Sequence, residues 1–111
     1  MAVNFIYITT KDAEEARRIG RTLVEERLAA CVNILDGMNS MYWWEGKVQD
    51  EREAVLIAKT KESRAPELIA RVKALHSYSC PCVVAMAVVA GNPDFLDWVE
   101  RESGRRVNGK S

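Results

Sequence analysis

Cys80-Pro81-Cys82, with His76 four residues upstream, is the densest chemistry in the sequence. Residues two apart in an extended segment project to the same side. The two thiols therefore share a face, and as thiolates they favour soft ions such as Cu(I) or Zn(II) over hard ones. His76, Cys80 and Cys82 form the candidate metal set, two sulfurs and one nitrogen. The competing reading is structural. A structural zinc site takes four ligands, cysteine often serves as a small core residue, and a protonated histidine ending an amphipathic helix gains about 0.3–1 kcal/mol from the helix dipole alone. Cys31, set in Ala29-Ala30-Cys31-Val32, reads as packing.

A second constellation is aromatic and acidic. Lys59, Tyr78, Trp44 and Glu45 are candidates to line a ligand-binding or inter-subunit cleft; alternatively Glu45-Gly46 is only a turn that admits positive φ at Gly46. Asp50-Glu51-Arg52-Glu53 is either a loose site for a hard cation or a solvated surface run. Tyr42, Trp43 and Trp44 are candidates for an interface between copies of the chain. Three neighbouring aromatics bury roughly 150–250 Å² each, an upper bound on the order of 10 kcal/mol at about 25 cal/mol/Å², too much to leave in water. No second histidine, nucleophile–base pair or carboxylate dyad accompanies these groups, so no catalytic residue and no enzyme is expected.

Composition narrows the classes further. The 111 residues make one domain, expected over residues 1–103 with a polar tail from 104 to 111. Sixteen basic and sixteen acidic residues give zero net charge, with no global pull toward nucleic acid. No apolar run reaches membrane-spanning length, and Met1-Ala2-Val3-Asn4 lacks the basic start of a signal peptide. Three cysteines, two of them one residue apart, argue for reduced thiols. A cytoplasmic protein is expected.

The elements that must position these groups follow from periodicity. Residues 2–9 read as a strand buried on both faces. Thr10 or Asp12 caps a helix of about four turns with Glu14 and Glu15 at its positive end. Residues 29–35 read as a strand broken by Asp36-Gly37, and residues 40–60 as a hairpin with an aromatic tip. Ser63 is expected to cap a second helix with Pro66 in its first turn, and residues 82–90 to form a strand wet on neither face. Asn92-Pro93 opens a last helix with Phe95, Leu96, Trp98 and Val99 inward. The order β-α-β-β-α-β plus a terminal helix predicts an α+β, ferredoxin-like sandwich. Its helices cover one sheet face, so the other needs a cover, and self-association supplies it.

Blocks along the chain carry a family resemblance: residues 26–34 (Glu-Arg-Leu-Ala-Ala-Cys-Val-Asn-Ile), 40–47 (Ser-Met-Tyr-Trp-Trp-Glu-Gly-Lys), Lys59-Thr60, 76–81 (His-Ser-Tyr-Ser-Cys-Pro) and 94–98 (Asp-Phe-Leu-Asp-Trp). In order and spacing the sequence resembles the CutA divalent-ion tolerance proteins over roughly residues 3 to 100. The resemblance implies a ferredoxin-like homotrimer associated with tolerance to copper and other divalent cations. Copper or another divalent metal is the cofactor it suggests. The cysteine late in the first strand that some members pair with histidines as copper ligands is absent here, where Ile8-Thr9-Thr10 stands, and Leu75 precedes the solitary His76. Ser77 and Cys82 replace a proline and a glutamate usual in that block. The alternative function is a PII-like small-ligand or scaffold trimer without specific metal binding. An RRM-like RNA binder shares the topology, but Ala54–Lys59 has no aromatics on which bases stack. An acylphosphatase-like enzyme needs an arginine after the first strand that this chain lacks.

Overall fold

The computed structural model describes residues 2–104; the expected tail falls, from residue 105 onward, outside the described residues. Eight elements follow in order: β1 (Val3–Thr10), α1 (Ala13–Glu25), β2 (Cys31–Trp44), β3 (Lys47–Lys61), a 3-10 turn (Glu62–Arg64), α2 (Ala65–Leu75), β4 (Val83–Ala87) and α3 (Pro93–Glu102). The strands form one antiparallel sheet in the order β2-β3-β1-β4. This is the α+β, ferredoxin-like arrangement the element order predicts.

The core lies between α1, α2 and one sheet face. Ala16, Ile19 and Leu23 of α1 and Leu68 and Val72 of α2 close over Ile6, Ile8, Leu56 and Ala58, all fully buried. Register makes this a single stripe, because Ile6 faces Ala58 and Ile8 faces Leu56. Asp12 caps α1 by accepting a 2.8 Å hydrogen bond from the Glu15 amide. At the other end of α1, Arg27 adopts φ 59°, and its guanidinium reaches the Glu102 carboxylate at 3.0 Å and carbonyl at 3.3 Å. The first helix is thereby tied to the last.

The opposite sheet face is covered at one end only. There α3 packs against β3 and β1: Val99 is fully buried, and the Ser103 hydroxyl accepts from the Lys61 amide at 3.1 Å while donating to the Val99 carbonyl at 2.6 Å. Elsewhere Leu35, Val84 and Met86 stand about half exposed. The expectation of a strand wet on neither face over residues 82–90 is therefore corrected. β4 is a five-residue edge strand, Val83–Ala87, with Val83 packed against the core and the rest exposed in the single chain.

Two further expectations are corrected. Ser63 does not cap α2; the chain enters through the 3-10 turn, and the N-cap Arg64 provides no side-chain cap bond. Asp36-Gly37 does not break the strand either. Leu35 pairs with Val55 and Met38 with Glu53, so β2 takes three steps where β3 takes two. The extra residue is accommodated as a bulge with Gly37 at φ 75°, and the ribbon continues to the predicted tip. Trp44 pairs with Lys47, and the two connecting residues, Glu45 at φ 52° and Gly46 at φ 77°, form the type I′ turn that suits a twisted ribbon. The arm leaves Trp43 74% exposed and Trp44 47% exposed.

Candidate functional site

One groove, about 840 Å³ in volume, lies between the hairpin arm and the α2–β4 connection. The arm contributes Tyr42, Trp44, Glu45, Glu51 and Glu53; the connection contributes Tyr78, Cys80 and Cys82. Three of the four cleft candidates thus meet. Lys59 is the exception, because its ammonium sits 5.2 Å from the Phe5 ring centre and 5.5 Å from that of Phe95, sandwiched under α3 and outside the groove lining.

The bulge sets which side chains the groove receives. Past it, residues 38, 40, 42 and 44 of β2 share a face with residues 49, 51 and 53 of β3. Tyr42 accordingly donates to Glu51 at 2.9 Å, and Tyr78 donates to Glu53 at 2.7 Å. Burial, reinforced by the hydrogen bond to Glu53 and its charge, pushes the Tyr78 phenol well above its ordinary value. The hydrogen bond to Glu51 raises that of Tyr42. Both tyrosines stay neutral donors near pH 7.

His76 is held rather than offered. Its side chain is fully buried; Nε2 lies 2.7 Å from the Thr9 carbonyl, and Nδ1 accepts the Tyr78 amide at 3.1 Å. A donating Nε2–H and an accepting Nδ1 describe the neutral ring, and together they occupy both nitrogens. Beside it, Glu15 is almost wholly buried and accepts the Ser77 amide at 2.8 Å and the Lys11 amide at 3.1 Å, with Arg18 at 3.4 Å. Burial alone would raise the Glu15 pKa. Hydrogen bonds from Ser77 and Lys11 outweigh it and hold the carboxyl below its ordinary value.

The expected metal set is therefore not gathered. Among the described residues no three His, Cys, Asp or Glu side chains are arranged to hold a metal ion. His76 is committed to backbone atoms, and a metal would have to displace one of those bonds. Cys80 and Cys82 remain, both reduced and exposed and both on the groove wall. Cys31 is partly buried, which raises its thiol pKa despite the Lys59 charge, in keeping with a packing role. Two features were missed in sequence. Glu15 read only as a dipole partner, although its burial depends on the distant Ser77. Glu51 and Glu53, two apart and so on one face, were legible as a pair but entered only within Asp50-Glu51-Arg52-Glu53, read as a loose hard-cation site or a solvated charge run.

Comparison with known proteins decides the family. Residues 4–102 match the profile described as "CutA1 divalent ion tolerance protein". The chain belongs to the CutA1 family. The "Divalent-cation tolerance protein CutA" of Archaeoglobus fulgidus is 46% identical over 97 residues, covering 87% of this chain and 94% of the relative. That of Thermus thermophilus is 46% identical over 99 residues, covering 89% and 96%. Among solved structures, a divalent cation tolerance protein from Thermus thermophilus superposes with a TM-score of 0.88 at 45% identity, covering 92% of this chain and 99% of that one. CutA1 from Oryza sativa gives 0.89 at 41% identity, covering 96% and 97%. The CutA fold over this span is thus shared by archaeal, bacterial and plant proteins. Their compartments differ by name: the rice relative is called chloroplastic, and the solved Archaeoglobus fulgidus protein is called periplasmic. In the described residues here no helix is long and apolar enough to cross a membrane.

Proposed function

We propose that this CutA-family protein acts as a cytoplasmic homotrimer that takes up a soft metal ion, copper foremost, through Cys80 and Cys82. The observation that carries the reading is that both thiols are exposed and line one cavity. Paired thiolates favour Cu(I) and Zn(II), and three free cysteines suit a reducing compartment. Assembly is supported by the half-exposed Leu35, Val84 and Met86 on the uncovered sheet face and by the exposed Trp43 and Trp44 on the arm, more apolar surface than a lone domain leaves in water. The protein is read as a binder rather than an enzyme: each groove tyrosine is tied to a carboxylate and serves as a neutral hydrogen-bond donor. Acidic groove walls also disfavour nucleic acid.

Titration of the reduced protein with Cu(I), Cu(II) and Zn(II), alongside a Cys80→Ser, Cys82→Ser variant, tests this. A thiol site predicts loss of the tight Cu(I) step in the variant. Equal stoichiometry and affinity in the two proteins would remove it. A second reading, a PII-like trimer for a small ligand, is favoured by the aromatic walls of the groove.

A further inference from the structure

Glu53 is a buried carboxylate with no counter-ion among the described residues. It is only 7% exposed, it takes part in none of the ion pairs there, and the one hydrogen bond it receives comes from the neutral Tyr78 hydroxyl. Burying a charge costs several kcal/mol unless opposite charge compensates it. The nearest basic neighbour in sequence, Arg52, points to the other face of the ribbon by strand alternation, where its guanidinium lies against Gly37. No lysine, arginine or histidine among the described residues lines the cavity in front of Glu53.

The rest of that cavity has a matching bias. Glu45 and Glu51 add negative charge, and Tyr42, Trp44 and Tyr78 present aromatic surface. Aromatic faces attract cations, and at about 840 Å³ the space suits a small organic molecule better than a bare ion. A hard divalent ion finds no three-carboxylate cluster among the described residues. From these observations we infer that the groove binds a small organic ammonium compound, an alkyl amine or diamine, whose charged nitrogen neutralises Glu53 while its carbon chain lies against Trp44 and Tyr78. The inference rests on the groove being the ligand site, as proposed above, but not on the thiols.

The test uses the full chain in its native assembly, stripped of metal with a chelator. 1,4-Diaminobutane is titrated by calorimetry and tryptophan fluorescence, with 1-butanol and butyrate as neutral and anionic analogues. Saturable binding of the diamine alone is expected, with NMR contacts between its methylenes and the Trp44 ring. Glu53→Gln should weaken it about tenfold or more, the loss of a hydrogen bond to a charged group. Cys80→Ser, Cys82→Ser should leave it intact, which separates this inference from the copper reading. No saturable uptake by the wild type, or equal affinity for butanol, overturns it. A second copy's lysine or arginine occupying the site would show itself as that same failure of uptake. Should Glu53→Gln not fold, the wild-type NMR contacts still decide: their absence sinks the proposal.

Discussion

The Ser77 amide donates to a Glu15 carboxylate oxygen at 2.8 Å, so the connection bearing both thiols is fastened to the first turn of α1. A buried acid from near the start of the chain thereby fixes one wall of the groove. Glu15→Ala leaves the Ser77 and Lys11 amides without their acceptor and should cost about 1–3 kcal/mol per orphaned donor, read by denaturant unfolding. Hydrogen exchange at Ser77 should speed up in the same variant.

The same carboxylate makes stability acid-sensitive. Its folded pKa lies below the ordinary 4.5, so its contribution is full above that value and is lost as pH falls through the folded pKa. The melting temperature should drop on acidification below about pH 4.5, and less steeply in Glu15→Gln.

Tyr78 gives the opposite limb. Its folded pKa is raised above the ordinary 10.0, so stabilisation from its neutral phenol is constant below pH 10 and declines as pH climbs beyond it. Absorbance titration at ~295 nm, where phenolate absorbs, should show Tyr42 and Tyr78 both ionising late, and Tyr78→Phe should remove one of these two late steps.

At the hairpin tip, Glu45 holds φ 52°, a left-handed conformation that costs an ordinary residue roughly 1–2 kcal/mol and asparagine less. Glu45→Asn should raise stability by about 0.5–1 kcal/mol, and Gly46→Ala should lower it. Thermal or denaturant melts compare both variants with the wild type.

For the proposed assembly, Trp44→Ala should weaken association by about 2 kcal/mol if the arm is an interface anchor. Sedimentation on dilution then shows smaller species than the wild type does. Unchanged mass and melting would contradict that anchoring role.

The legible parts were those whose signals are local. A β-branched and aromatic run located β1, helix-start chemistry narrowed the first cap to Thr10 or Asp12, and turn chemistry placed the hairpin tip, because each depends on residues within a few positions. The apolar run 82–90 was overread because composition does not reveal where backbone pairing ends, and β4 stops at Ala87. Spacing put Cys80 and Cys82 on one wall but gave no sign that Thr9, 67 positions away, would claim His76. Lys59 likewise looked available until α3 folded Phe95 over it.

The one-residue excess in β2 between Leu35 and Met38 makes the outer ribbon an odd-and-even counter. Deleting Asp36 or Gly37 would turn Tyr42 to the back of the ribbon and bring Trp43 forward, with Glu51 left facing empty water. Lengthening the arm by matched pairs of residues keeps its inner display, whereas a single inserted residue inverts it. The reach of this arm can thus change without changing its display only in steps of two residues per strand.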